Sequence, residues 1–365
     1  MKIAEQGTIS SKKDRGAFCP SIRQLSDGTF VAAQDVGSTI GSCDHSIEIL
    51  YSRDGREWES GGLLPDGTAD GKWFYRVPDL EELPDGRLVM RATRFEVGTT
   101  ELFDSDEESV ARGEALLYWS EDRGRTWSAP RIVPVDLPRD RYTWNGAGAR
   151  LLRISSDRWM YPMETFRPKG SKAPVDQKAL AVFSSDKGKT WNELVVVADD
   201  PTGRLFWWDQ MNTFLPDGRI YTMFWTHVSG TNEDLPVHWV ISEDEGRTWS
   251  EPKPTNIRGQ VCSPVALPDG RLAAIYNYRH EPQGIRIALS RDLSHFDLEN
   301  ELVVFDAHAE TSRNLPGDQN FLAQHLQISF GKPSAILLHD GTLLAYFWCT
   351  SEGVTHTRWA RVRYG

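Results

Sequence analysis

The chain has 365 residues, of which 39 % are hydrophobic and 25 % charged, a balance that supplies an ample globular core. Its net charge is −11, with Lys and Arg spread along the chain. Nucleic acid and anionic membrane surfaces both call for a concentrated basic footprint, so neither is expected as a partner.

The opening MKIAEQGTIS lacks an apolar signal-peptide core, and no run of eighteen apolar residues occurs. A cytoplasmic protein without a membrane span is therefore expected. Cys19, Cys43, Cys262 and Cys349 lack CxxC spacing and read as reduced structural thiols, so no metal and no other cofactor is expected.

In chain order, a short phrase recurs: LSDGTF at 25–30, LPDGRL at 83–88, ISSDRW at 154–159, LPDGRI at 215–220, LPDGRL at 267–272 and LHDGTL at 338–343. Asp-Gly between apolar runs predicts a tight hairpin, because Gly supplies positive φ at little cost. A second phrase follows the first in each of the first five units. It is complete as SEDRGRTW at 120–127, SSDKGKTW at 184–191 and SEDEGRTW at 242–249, shortened as SRDGREW at 52–58 and degraded as SRDLSHF at 290–296. It predicts a second hairpin whose Ser and Asp bond turn amides while the Trp packs between sheets.

Six units at a pitch near sixty residues predict an all-β fold: a six-bladed β-propeller with four-stranded antiparallel blades, A to D, over residues 1–365 as a single domain. The last unit lacks one strand, and the N-terminal strand around Lys2 to Ser10 is expected to supply it and close the ring. The acidic stretch at 98–114 is expected to be an exposed loop between the B and C strands of the second blade.

In this layout both turn types lie on one face. A-strand starts and B-strand ends then converge on the opposite mouth, where a ligand is expected. Those positions bring Arg76, Arg91, Arg94 and Arg279, whose planar guanidinium groups suit a carboxylate. They also bring Glu164, Asp209 and His227 as candidates for proton transfer, with Asp35, Asp79 and Glu96 in reserve. A glycosidase uses a pair of carboxyl groups, one of them kept protonated by an apolar setting, which Trp207 and Trp208 could give Asp209. Trp144, Trp208, Trp225 and Trp348 offer flat faces to a sugar ring.

The S-x-D-x-G-x-T-W phrase resembles the Asp box of the sialidase superfamily, and together with the Asp-Gly turns the likeness spans essentially the whole chain. Arg76 in YRVP resembles that family's F/Y-R-I-P arginine, although here it opens the second unit. Arg279, with Asn277, in YNYRH resembles the arginine ending a B strand. Where the family places a nucleophilic Tyr, this sequence reads FGKPS, with Lys332 or Pro333 in its place. No third arginine aligns, Arg313 lying in a loosely patterned loop. The strand-end positions and the resemblance together favour an exo-acting glycoside hydrolase on an anionic sugar, with Glu164, Asp209 and His227 expected to be catalytic, and Arg76, Arg94, Arg279, Trp144, Trp208, Trp225 and Lys332 expected on the carbohydrate. A non-catalytic glycan-binding propeller and a polysaccharide lyase using His227 or a Tyr as base are the alternatives. No feature of the sequence assigns an oligomeric state.

Overall fold

The Asp-Gly phrases close hairpins as their chemistry requires. At the first, Gly28 adopts φ of +88°, its N–H bonds Leu25 O at 2.8 Å, and Asp27 Oδ1 accepts the Thr29 amide at 3.0 Å. The S-x-D-x-G-x-T-W phrases close the second hairpins. Ser184 Oγ accepts the Gly188 amide at 2.8 Å and Asp186 Oδ1 accepts the Thr190 amide at 2.8 Å. Ser120 with Asp122 and Ser242 with Asp244 repeat the pattern. Trp191 is buried between sheets, while Trp58, Trp127 and Trp249 pack half-buried against the core.

The computed structural model describes residues 1–12, 14–65, 71–98, 101–104, 108–146, 150–307 and 328–365. After β1 (Lys2–Ser11), the first sheet is β2 (Gly16–Gln24), β3 (Phe30–Gly37), β4 (Ser46–Ser52) and β5 (Glu59–Leu63). The second contains β6 (Trp73–Glu82) and β7 (Leu88–Glu96), then, after β8 (Phe103–Asp104) and β9 (Ser109–Val110), β10 (Gly113–Ser120) and β11 (Arg131–Val133). The third is built on β12 (Thr143–Asn145), β13 (Leu152–Arg153), β14 (Trp159–Pro168), β15 (Ala179–Ser184) and β16 (Glu193–Ala198). The fourth is β17 (Leu205–Phe214), β18 (Ile220–Val228), β19 (His238–Ser242) and β20 (Lys253–Pro254). The fifth is β21 (Cys262–Ala266), β22 (Leu272–Tyr278), β23 (Gly284–Ser290) and β24 (Leu302–Asp306). The last joins β25 (Phe330–Leu337), β26 (Leu343–Ser351) and β27 (Val354–Arg363) to β1.

This is an all-β propeller arrangement, with two corrections to the expected six equal blades. Among the described residues only five sheets are four-stranded, and the third has seven strands. Its first strand is broken into β12 and β13, and β8 and β9 are added beyond β14, to which β9 pairs in parallel. The second correction follows from the first. Leu102, Ser109, Val110 and Ala111 are buried, so the described part of 98–114 is packed structure rather than an exposed loop; residues 99–100 and 105–107 lie outside the described residues. The N-terminal strand lies beside β27, Lys2 opposite Arg363 and Ser11 opposite His356.

Apolar clusters fill the spaces between consecutive sheets, and another joins Ile22 and Leu50 of the first sheet to Leu344 and Trp359 of the last. The innermost strands stand side by side, linked by Ser21 Oγ to Asp79 Oδ1 at 3.0 Å and Ser263 Oγ to Ser334 Oγ at 3.2 Å. Among the described residues no helix is long and apolar enough to cross a membrane.

Ser184 is fully buried, so removing its hydroxyl strands the Gly188 amide. Ser184→Ala is expected to lower the unfolding free energy by about 1–3 kcal/mol, read from urea denaturation; an unchanged midpoint would show that the turn does not depend on this bond.

Candidate active site

The innermost strands share one irregularity. Opposite a single residue of the next strand, β2, β6, β17 and β25 each carry two, at Cys19-Pro20, Val77-Pro78, Asp209-Gln210 and Lys332-Pro333. The first residue of every pair is left-handed, with φ of 46°, 48°, 50° and 51°. A non-glycine residue there is strained, a β-branched one such as Val77 most of all. A bulge re-aims the side chain, and Cys19, Val77, Asp209 and Lys332 all face one cavity.

Side chains from the preceding sheet hold these bulges. Asp35 accepts the Val77 amide through Oδ1 at 2.8 Å and Arg76 Nε through Oδ2 at 2.8 Å. Thr93 Oγ1 accepts the Gly146 amide at 3.1 Å, and Glu164 Oε2 accepts the Asp209 amide at 2.7 Å. At Gly146 a Cβ would come within 2.5 Å of Arg91 Nη1, so any larger residue would have to displace that guanidinium. Arg91 is itself fully buried behind it.

All six sheets contribute to the cavity, through Cys19, Arg76, Glu164, Asp209, Arg279 and Lys332 among others. Glu164 is 3 % exposed. Burial first, and then the neighbouring Asp209 carboxylate, hold its pKa well above the ordinary 4.5. Lys332 Nζ ion-pairs with Asp209 Oδ1. The arrangement thus sets a carboxyl whose ionisation is disfavoured beside one that is ion-paired to Lys332. Glu164 can accept the Asp209 amide as a carbonyl through Oε2 and donate through Oε1.

Arg76 is buried and pairs with Asp35; burial opposes the guanidinium charge, but the attraction and hydrogen bonding of Asp35 and Cys19 together raise its pKa. Arg279 has no carboxylate partner among the described residues. Its Nε bonds Gln260 Oε1 at 3.0 Å, its Nη2 bonds Phe330 O at 2.5 Å, and its guanidinium lies 3.9 Å from the Phe330 ring centroid. Burial pushes its pKa down to about 9. Such a group gains most from an arriving anion.

Trp208, Trp225 and Trp348 line the cavity, the first two edge to face at 5.3 Å. Three expected site residues lie elsewhere. Arg94 is bound by Glu114 at 2.6 Å and covers the Trp73 ring. Trp144 is buried in the core between the second and third sheets, with Arg139 over its ring. His227 stacks on Trp208 at 4.8 Å, and both ring nitrogens are engaged, Nδ1 with Asp234 Oδ1 at 2.8 Å and Nε2 with Thr231 O at 3.0 Å. Arg313 lies outside the described residues.

Sequence reasoning missed Asp234, which also accepts from Trp225 Nε1 at 2.7 Å and Gln260 Nε2 at 3.0 Å and so braces Arg279 through Gln260. It missed Phe166 and Asn145 as well, although β14 and β12 carry them two residues from Glu164 and one from Trp144. Among the described residues no three His, Cys, Asp or Glu side chains are grouped to hold a metal ion.

Residues 28–343 match the BNR repeat-like domain. The chain belongs to that family. No curated protein matches its sequence. In fold, this BNR repeat-like protein is similar to a protein of unknown function from Dyadobacter fermentans, with TM-score 0.74 at 18 % identity over 99 % of this chain and 98 % of that one. It is also similar to the Penicillium chrysogenum alpha-L-arabinanase, with TM-score 0.68 at 15 % identity over 99 % and 98 %. The leech intramolecular trans-sialidase gives TM-score 0.65 at 15 % identity over 100 % of this chain and 70 % of that one. The likeness to the sialidase superfamily read from the repeats therefore holds at the level of family and fold.

A raised carboxylic pKa carries a sign for stability. In the unfolded chain Glu164 ionises near 4.5, whereas the native site resists ionisation, so the folded state binds the extra proton and stability falls as pH rises between the two values. Glu164→Gln imitates the neutral form and is expected to gain stability relative to the parent across that window, measured by denaturation at stepped pH; a pH-independent difference would contradict a protonated Glu164.

Proposed function

We propose that the chain is a single-domain, six-bladed propeller, its ring completed by the β1–β27 pairing, that hydrolyses glycosidic bonds at the end of a glycan carrying an anionic sugar. The observation that carries this reading is the pair Glu164 and Asp209, the first buried so that its ionisation is disfavoured and the second bonded to Lys332, in a cavity lined by every sheet. A socket lined by residues of all six sheets suits a chain terminus, which favours exo action. Glu164 acts as general acid on the leaving oxygen, and the Asp209 carboxylate supports the charge developing at the anomeric carbon. Arg279 takes the anionic group of the sugar and Arg76 braces the same wall. Trp208, Trp225 and Trp348 pack against the ring. The arabinanase and the trans-sialidase of the same fold support a carbohydrate substrate. The lyase reading loses its His227 base, because that ring is bonded at both nitrogens.

A panel of 4-nitrophenyl and natural glycosides with neutral and acidic sugars provides the test. Hydrolysis of an acidic glycoside is expected. Glu164→Gln should lower its rate about 10²–10⁴-fold, with a smaller loss for the 4-nitrophenyl leaving group, which needs less protonation. Arg279→Ala should act mainly through KM. Binding of acidic glycans without turnover by the parent protein would instead identify a glycan-binding propeller.

A further inference from the structure

The β8–β9 insertion is anchored at both ends. Leu102 N–H bonds Gly41 O at 2.7 Å and Glu101 pairs with Ser42, tying it to the first sheet. On the other side β9 pairs with Arg167 and Pro168 of β14, and Lys169 Nζ bonds Glu101 O at 2.6 Å. So placed, it brings Leu102 and Phe103 to the cavity beside Ile40, Phe95 and Phe166. The cavity lining therefore carries this apolar, aromatic group as well as the charged Asp209, Arg279 and Lys332.

Glu164 adjoins both groups. Phe166 follows it by two residues on β14, and alternate residues of a strand share a face. A general acid must lie within hydrogen-bond reach of the leaving-group oxygen, so the surface continuing from Glu164 away from the charged residues is what the leaving group meets. We propose that Ile40, Leu102, Phe103 and Phe166, backed by the buried Phe95, form an aglycone subsite for an aromatic, phenol-type leaving group. This rests on the hydrolase reading of Glu164 and Asp209. Rings on a wall of rings gain from edge-to-face contact beyond the area they bury, whereas a second sugar would leave its hydroxyls there without partners. In the reaction Glu164 gives its proton to the glycosidic oxygen as the bond to the anomeric carbon breaks and the phenol departs. Water then supplies the hydroxyl to that carbon and returns a proton to the carboxylates.

Phenol itself, with no sugar attached, tests the subsite separately from catalysis, with glycerol as the polar control and saturation-transfer NMR titration as the readout. The full-length protein is expected to bind phenol in preference to glycerol. Phe166→Ser and Phe103→Ser should each weaken binding about 3–10-fold, the equivalent of losing one aromatic contact, while Phe166→Leu keeps most of it. Phe103 lies half-buried in the insertion, so its variant decides the matter alone if Phe166→Ser does not fold. Absence of phenol binding, or binding untouched by the serine substitutions, overturns the subsite. Failure of the hydrolase reading is seen separately, as lack of turnover on the glycoside panel.

Discussion

The site depends on one recurring hydrogen bond: a side chain near the end of one sheet's second strand accepts the amide of a left-handed residue in the next sheet's innermost strand. Asp35 does this for Val77 and Glu164 for Asp209, while Thr93 accepts the amide of Gly146, which is not left-handed, at the matching place in the third sheet. Each left-handed non-glycine residue costs on the order of 1–3 kcal/mol, so the conformation persists only where its surroundings over-determine it. The accepted amide provides part of that constraint. Pro20, Pro78 and Pro333 provide more, since proline brings no N–H to be satisfied where the ladder is interrupted. At the fourth bulge Gln210 replaces proline and spends its side chain on Met163 O and Leu180 O, sewing the fourth sheet to the third.

Asp35 and Glu164 occupy equivalent places in this scheme, yet their electrostatic settings are opposite. Asp35 has the Arg76 guanidinium at 2.8 Å, so its charge is met directly. Glu164 receives an amide and faces the Asp209 carboxylate, while Lys332 is bonded to Asp209. Burial and the like charge both favour a neutral Glu164, and against them stand Lys332, the amide and the more distant Arg91. The unfavourable terms prevail because the nearest cation belongs to the neighbouring carboxylate. One structural position thus yields a brace in one sheet and an acid in another.

Much of the site was legible as a set of strand ends. Arg76, Glu164, Trp208, Asp209, Trp225, Arg279 and Lys332 do converge. Arg94 was misread because it follows Thr93, which pairs with Arg76, and the strand's alternation turns it to Glu114 and Trp73 instead. Trp144 precedes the cavity-lining Asn145 and so points into the core instead. His227 sits two residues past Trp225 but is claimed by Asp234 from the following loop. The apolar wall left no trace in the sequence, since GTTELFDSDEESVARGE is acidic in composition and its few apolar residues show neither a strand nor a helix period.

The sequence alone determined the repeat, the hairpins and the burial of the indoles, because turn chemistry and strand alternation are local and act within a few residues. The tertiary structure decided which strand-end side chains reach the cavity and in what protonation state. One extra residue in an innermost strand reverses the face of those that follow, and the resistance of Glu164 to ionisation comes from burial and from a carboxylate 45 positions away in the chain. Neither effect exists until sheets from distant parts of the chain are packed side by side.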